Sequence, residues 1–175
     1  MSRALIMALV LWLPATTAWA DEPAMPGQAI SGFWQTEQGE AVVEIRADPD
    51  TQTYSGRLVW LRQARYLQDD PRGIGGQRVV DRHNPDPDRR TRPLLGLTLL
   101  TGLAYHPQAR DGRGQWQSGR IYDTENGKHY DCYVWLADAE HLKLHGYVGV
   151  RLLGRTTTWT RVADPARVEP EEMES

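Results

Sequence analysis

Four oxygen-bearing side chains lie within one short stretch of the chain, at Asp81, Asn84, Asp86 and Asp88. Carboxylate and amide oxygens are the ligands that calcium prefers, so this spacing could in principle hold that ion. However, Pro85 and Pro87 stiffen the segment, and the turn glycine and bidentate glutamate of a calcium-binding loop are missing. Nearby arginines also neutralise the local charge. We therefore expect no metal site, and a structural loop in which Asp and Asn side chains accept backbone hydrogen bonds.

Two histidines, His141 and His145, have the H-x-x-x-H spacing of a zinc-binding pair. That spacing brings two rings together only on a helix, where residues i and i+4 are neighbours. Leu142 and Leu144 alternate with the histidines, which predicts a strand instead. Four residues of strand span about 13 Å. We therefore expect that the two histidines do not share a zinc ion.

Nucleophilic chemistry has little support in the sequence. Cys132 is the single cysteine, and neither Asp131 nor Tyr133 beside it carries a positive charge that would lower its pKa. We expect its thiol to fill the core. No G-x-S-x-G nucleophile elbow is present in the sequence. An acid/base pair of Asp81 and His83 is the best catalytic alternative, and it places an enzyme third among the interpretations. We predict no catalytic residue and no cofactor.

The elements that position these residues are short β-strands. The sequence contains 16 Gly and 11 Pro, and after residue 20 no segment sustains the 3.6-residue apolar period of a long helix. Eight alternating segments are candidate strands, at 32–37, 41–46, 54–61, 97–104, 116–122, 128–136, 141–150 and 156–162. The sequence therefore predicts an all-β fold: a single antiparallel up-and-down barrel of about eight strands, with one long loop after the third strand.

A barrel of eight strands can fill its interior with side chains or enclose one small ligand. Tyr54, Gly56, Leu58 and Trp60 share one face of the third strand by simple alternation. Trp60 ends that strand just before the long loop, so we expect its indole near one mouth of the barrel. Asp81 and Asn84 lie in the long loop and are expected to orient it through hydrogen bonds to backbone groups or tyrosines. The predicted ligand site comprises Trp60, Asp81, Asn84, Tyr122, Tyr130 and Tyr147. The open alternative is that the aromatic side chains plug the barrel.

The chain divides into four predicted parts. Residues 1–20 combine Arg3, an apolar run at 4–13 and the small-residue ending Ala18-Trp19-Ala20, which is typical of a cleavable signal peptide cut after Ala20. We therefore expect a periplasmic protein with no stable membrane anchor after cleavage. A short lead at 21–31 precedes the barrel at 32–163, and the acidic segment 164–175 is predicted to be disordered.

The charge of the chain argues against one class of partner. The sequence has 20 basic and 23 acidic residues and a net charge of −3. Removal of residues 1–20 takes away only Arg3 among the charged residues, which leaves 19 basic and 23 acidic residues and a net charge of −4. Nucleic-acid binding needs a clustered basic surface, so we expect no nucleic-acid partner. The sequence leaves the oligomeric state open.

Several separated blocks carry a family resemblance. They are Gly32-Phe33-Trp34, the DRHNPD and RPLLGL segments at 81–86 and 92–97, and the LGRT and WTRV segments at 153–156 and 159–162. With these blocks, residues 32–162 resemble the bacterial family called domain of unknown function 2147. The resemblance implies a small exported protein with a lipocalin-like barrel, and no established reaction or ligand. In lipocalins a Gly-x-Trp on the first strand packs under an arginine of the last strand, and the matching residues here are Trp34 and Arg161.

Together these observations favour a periplasmic lipocalin-like protein that binds a small, largely apolar ligand. The main alternative is a structural or interaction module of the cell envelope with a filled barrel. In that case the outward-facing Tyr133 and Trp135 would recognise a protein or a glycan.

Overall fold

Eight antiparallel strands form a closed barrel in the computed structural model, which describes residues 26–168. The strands are β1 (Gly32–Gln35), β2 (Ala41–Asp48), β3 (Thr53–Leu61), β4 (Thr98–His106), β5 (Gln115–Asp123), β6 (Lys128–Leu136), β7 (His141–Tyr147) and β8 (Gly154–Val162). Each strand pairs with the next along the chain, and β8 pairs with β1. This arrangement confirms the predicted up-and-down barrel. The long connection between β3 and β4 confirms the predicted loop.

The alternation along β6 illustrates how the sequence builds the core. The β5–β6 turn contains Asn126-Gly127, and Gly127 has a φ of +73°, a conformation that glycine adopts without strain. Beyond this turn Cys132 and Val134 are fully buried. Burial raises the pKa of the Cys132 thiol to about 12, and the neighbouring Asp131 carboxylate adds to the increase. The thiol is therefore a neutral core group, as predicted.

One end of the barrel is covered by the residues that precede β1. A short 3-10 helix, Gln28–Ile30, places the Ile30 side chain in the core, where it is fully buried. The Trp34 indole Nε1 donates a hydrogen bond of 2.8 Å to the carbonyl of Ile30. The Tyr54 hydroxyl donates one of 2.8 Å to the carbonyl of Pro26. Residues 26–31 therefore form a lid that the alternation pattern did not reveal.

The predicted closure pair lies at the same end. Trp34 on β1 pairs with Arg161 on β8, and the Cζ of Arg161 lies 4.1 Å from the centroid of the Trp34 ring. The Arg161 guanidinium also donates hydrogen bonds to the carbonyls of Ala29, at 2.7 Å, and Ser31, at 2.9 Å. Arg161 therefore fixes the lid to the last strand as well as covering the indole, which confirms the prediction.

A β-bulge corrects the prediction for Trp60. Val43 pairs with Leu58, whereas the adjacent Val42 pairs with Trp60, so Val59 is an extra residue on β3. Paired residues share a face of the sheet, and neighbouring residues face opposite ways. Since Val43 and Leu58 belong to the core, the extra residue turns Trp60 to the outer face. The prediction that Trp60 continues the inward face of Tyr54, Gly56 and Leu58 is therefore wrong.

The predicted strand bounds agree with the structure to within two residues except at the end of β7. β7 ends at Tyr147 rather than at residue 150, and residues 148–153 form the connection to β8. In the predicted disordered tail, Pro165–Arg167 forms a 3-10 turn capped by the Asp164 side chain. The predicted signal peptide at 1–20 and the tail beyond residue 168 lie outside the described residues.

No helix within residues 26–168 is both long and apolar enough to span a membrane.

Candidate ligand-binding cavity

The end of the barrel opposite the lid contains a cavity of about 660 Å³. It lies among the β1–β2, β3–β4, β5–β6 and β7–β8 connections, which all emerge at this end of an up-and-down barrel. Its wall is mainly apolar and includes Leu58, Leu61, Leu94, Leu99, Ile121, Leu144 and Trp159. Small-molecule sites in proteins typically have volumes of about 300–1,000 Å³. The cavity therefore has the size and lining of a small-ligand site.

Polar side chains border the cavity near its mouth. Four carboxylates contribute to the border, from Glu37, Glu40, Asp123 and Glu125. Arg155 on β8 also borders it, and its guanidinium lies 3.5 Å from the Glu37 carboxylate. The Glu40 carboxylate lies 3.4 Å from the Arg62 guanidinium. The surroundings of the mouth are thus acidic, and two of the carboxylates are paired with arginines.

A buried carboxylate anchors the long β3–β4 loop to the barrel. Asp81 is fully buried and accepts hydrogen bonds from the Tyr122 hydroxyl, at 2.6 Å, and from the Asn84 side-chain amide, at 2.7 Å. The Arg92 guanidinium donates to the same carboxylate at 2.9 Å and 2.7 Å. A buried charge is tolerated when it is paired and hydrogen-bonded, and these donors satisfy it. We refer to Asp81, Asn84, Arg92 and Tyr122 as the Asp81 network.

The Asp81 network connects the loop to β5. Burial raises the pKa of the Tyr122 hydroxyl, and the hydrogen bond to Asp81 raises it further. The hydroxyl therefore remains protonated and available as a donor at neutral pH. The Asn84 side-chain oxygen accepts a hydrogen bond of 2.9 Å from the backbone N–H of Asp86. The Asp86 carboxylate accepts one of 3.1 Å from the backbone N–H of Asp88. These turns confirm that the acidic segment is a structural loop.

A second contact holds the loop against the β5–β6 turn. A Cβ atom at Gly127 would collide with the carbonyl oxygen of His83, so the glycine allows the two backbones to approach closely. The loop is also paired with itself, through bridges between Arg65 and Arg78 and between Val80 and Pro93. It therefore folds back on the barrel, and its Leu94 forms part of the cavity wall.

The six predicted ligand-site residues fall into three groups: residues that border the cavity, residues that support its wall, and one residue that lies away from it. Tyr130 lines the cavity, and its hydroxyl accepts a hydrogen bond of 3.0 Å from Asn126. Tyr122 also borders the cavity, but Asp81 and Asn84 already engage its hydroxyl. Asp81 and Asn84 therefore support the wall from behind.

The remaining two predictions concern Tyr147 and Trp60. Tyr147 borders the mouth, but its ring centroid lies 6.1 Å from that of Tyr133 and 6.2 Å from that of His145. Trp60 does not line the cavity, because the bulge at Val59 turns it outward. A role in binding therefore stays a prediction for Tyr147, which borders the cavity, but not for Trp60, which does not.

Residues that the sequence analysis did not single out form much of the wall. Trp159 and Thr157 lie on the inner face of β8, and Gly146 lies on the inner face of β7. The alternation of Arg155, Thr157 and Trp159 along β8 is the signal that could have identified them. The threonines of β8 make both of its faces polar, so the alternation does not stand out as an apolar face.

The structure brings together neither the Asp81–His83 acid/base pair nor the His141–His145 metal pair. The His83 side chain is exposed and accepts a hydrogen bond of 3.2 Å from Arg82, whereas the Asp81 carboxylate is engaged by its own network. His141 contacts Asp138 at 2.9 Å, and His145 contacts Thr156 at 2.8 Å. Within residues 26–168 no three His, Cys, Asp or Glu side chains are grouped so as to hold a metal ion.

The closed up-and-down barrel of eight strands has a lipocalin-like fold. The profile of the family described as "Uncharacterized protein conserved in bacteria (DUF2147)" matches residues 32–161. The chain therefore belongs to the DUF2147 family.

Comparison with solved structures supports the same architecture. Protein HP1028 from Helicobacter pylori, which is described as a member of the lipocalin family, superposes with a TM-score of 0.58 at 20% sequence identity. The match covers 78% of this chain and 84% of that chain. At this identity the similarity establishes the fold alone. No curated protein matches the sequence.

Proposed function

We propose that this protein is a non-catalytic binding protein that holds a small, largely apolar ligand in the barrel cavity. The observation that carries the proposal is the mainly apolar cavity of about 660 Å³, which lies at the end of the barrel opposite the lid. Removal of apolar surface from water is the main driving force for such binding. The Asp81 network contributes by holding one wall of the cavity in place.

The arrangement of the wall favours a ligand with an apolar body and one polar end. Leu58, Leu144 and Trp159 provide apolar surface for its body. Tyr130 and Thr157 offer hydroxyl groups for a polar end. A few polar groups in an otherwise apolar site fix the orientation of a ligand. The alternative of a filled barrel that acts only as an interaction module is not supported by a cavity of this size.

A substitution at Gly146 tests whether the cavity binds ligand. Gly146 lines the cavity, and a Cβ at this position would lie 3.9 Å from both Ile121 and Tyr130, which is ordinary van der Waals contact. A tryptophan at this position should therefore occupy cavity space without displacing the backbone. We expect Gly146→Trp to weaken binding of the neutral fluorescent probe N-phenyl-1-naphthylamine by at least about tenfold, or about 1.4 kcal/mol.

Gly146→Ala is the matched control, because it changes the same position and adds only one methyl group. We expect it to retain probe binding, and circular dichroism should show both variants folded. If the parent protein does not bind the probe, or if folded Gly146→Trp binds it as well as Gly146→Ala, the cavity is not the binding site.

We also propose that the protein is exported and acts in the periplasm. The proposal is supported by the order of Arg3, the apolar run at 4–13 and Ala18-Trp19-Ala20. The intact mass of protein recovered from the periplasm should correspond to a chain that begins at Asp21. Recovery of the full-length chain from that compartment would disprove cleavage, and recovery only from the cytoplasm would disprove export.

A further inference from the structure

The connection between β7 and β8 exposes an unusual amount of apolar surface. In the 148–153 loop, Val148 is 69% exposed, Val150 59%, Leu152 88% and Leu153 71%. These four side chains lie within six consecutive residues, so the exposed apolar surface is concentrated on one connection rather than scattered over the barrel. A contiguous exposed apolar patch marks a surface that another molecule covers.

The charges of this connection indicate which kind of surface covers it. Residues 147–155 contain Arg151 and Arg155 and no acidic residue. Arg151 lies within the loop, and its guanidinium is 5.5 Å from the centroid of the Tyr133 ring and donates a hydrogen bond of 3.4 Å to the Gln117 side-chain oxygen. The Arg155 side chain is 73% exposed despite its contact with Glu37. Apolar side chains combined with arginines are typical of segments that enter the interface of an anionic membrane.

The loop also lies at the mouth of the cavity. Val148 and Leu153 line the cavity and are largely exposed at the same time, so the apolar patch is continuous with the cavity wall. We propose that the 148–153 loop docks the protein on an anionic phospholipid bilayer with the cavity mouth toward the lipid. The use of such docking rests on the proposed function, because an apolar ligand would then pass between bilayer and cavity without crossing water.

The charges on the rest of the rim limit how the protein docks. Glu37 and Glu40 lie on the β1–β2 connection, and Glu125 lies on the β5–β6 turn. These carboxylates repel anionic headgroups, and the repulsion falls off within a Debye length of about 8 Å at physiological ionic strength. We therefore expect docking through the most exposed side chains of the loop, Leu152 and Leu153.

Vesicle flotation tests the proposal directly. The protein used for flotation begins at Asp21, because the apolar run at 4–13 would itself bind lipid. This shortened chain contains every residue of the barrel. We expect it to float with vesicles of phosphatidylglycerol and phosphatidylcholine more than with phosphatidylcholine alone. Leu152→Asp should reduce the partition coefficient on the mixed vesicles by at least about tenfold. Arg151→Gln should reduce it by about fivefold on the mixed vesicles only.

Leu67→Asp is the matched control. Leu67 is 63% exposed, lies in the long β3–β4 loop and does not line the cavity. We expect its substitution to leave flotation unchanged. Absence of flotation by the parent protein, or equal loss in Leu67→Asp and Leu152→Asp, would overturn the docking proposal.

Binding of N-phenyl-1-naphthylamine in the absence of vesicles separates the two proposals. We expect Leu152→Asp to bind the probe as the parent does. Probe binding without flotation would overturn the docking proposal and leave the cavity proposal standing. Flotation without probe binding would overturn the cavity proposal and leave the docking proposal standing.

Discussion

Replacement of Trp34 with alanine is expected to lower the free energy of unfolding by about 3 to 5 kcal/mol, the usual range for a buried large aromatic side chain. Trp34 is fully buried, its indole donates to the carbonyl of Ile30, and Arg161 covers its ring. The substitution removes the packing surface and leaves the Ile30 carbonyl without this donor. Denaturant unfolding of the parent and the variant measures the difference.

A double-mutant cycle identifies how much of this effect depends on Arg161. Arg161→Ala should cost less than Trp34→Ala, because the arginine is less buried and its loss leaves the core filled. The two residues are in contact, so we expect a coupling energy above about 0.5 kcal/mol.

Arg155→Ala supplies the control for this cycle. Arg155 lies on the same strand as Arg161, but six residues away, or about 20 Å along an extended strand. Its effect should therefore add to that of Trp34→Ala within about 0.5 kcal/mol. If Arg161→Ala is equally additive, the two closure residues do not stabilise each other.

Removal of the Asp81 carboxylate is expected to release the long loop while the barrel stays folded. Asp81→Ala leaves the Tyr122 hydroxyl without its acceptor and Arg92 without its ion pair, and it removes one of the two acceptors of the Asn84 side-chain amide. Unsatisfied polar groups cost about 1 to 3 kcal/mol each, so the loop should lose about 2 to 4 kcal/mol of local stability. Local opening requires less free energy than global unfolding. Hydrogen exchange should therefore rise across residues 62–93 and stay slow in the strands.

Two further variants distinguish the Asp81 network from general effects of charge. Asp81→Asn retains an acceptor oxygen and should release the loop less than Asp81→Ala does. Asp86→Ala removes a carboxylate of the same loop that is 46% exposed, lies 3.1 Å from the Arg89 guanidinium and accepts the Asp88 backbone N–H. It should change exchange little outside the 87–89 turn. Fast exchange throughout the loop of the parent protein, or an equal effect of Asp86→Ala, would show that the Asp81 network does not hold the loop.

The sequence was most informative where alternation and turn chemistry agree. Asn126-Gly127 and the alternating Cys132 and Val134 specify a hairpin and its inner face, and both were predicted correctly. The pairing of Trp34 with Arg161 was also predicted, because an up-and-down barrel makes its first and last strands neighbours. For Asp81 we predicted hydrogen bonds to backbone groups or to Tyr122, Tyr130 or Tyr147, and in the structure the Tyr122 hydroxyl donates to it.

The errors arise where one residue changes the register or where tertiary contacts replace a local pattern. Val59 adds one residue to β3, and a shift of one residue reverses the face of every later side chain, including Trp60. Ile30 is buried by the barrel end that it covers, so no local periodicity marks it. The alternation at 148–150 resembles a strand, but no partner pairs with it, because β8 begins only at Gly154.

The contacts of Arg161 also constrain the order in which the barrel can be completed. Its hydrogen bonds to Ala29 and Ser31 join residues that are 132 and 130 positions apart. Contacts of such long sequence separation form slowly, since the entropy of a large loop must be lost first. Until β8 is in place, β1 and β7 each have an unpaired edge that can recruit strands of other chains. Pairing of the last strand thus determines whether the other seven become part of a closed barrel or remain an open sheet prone to association.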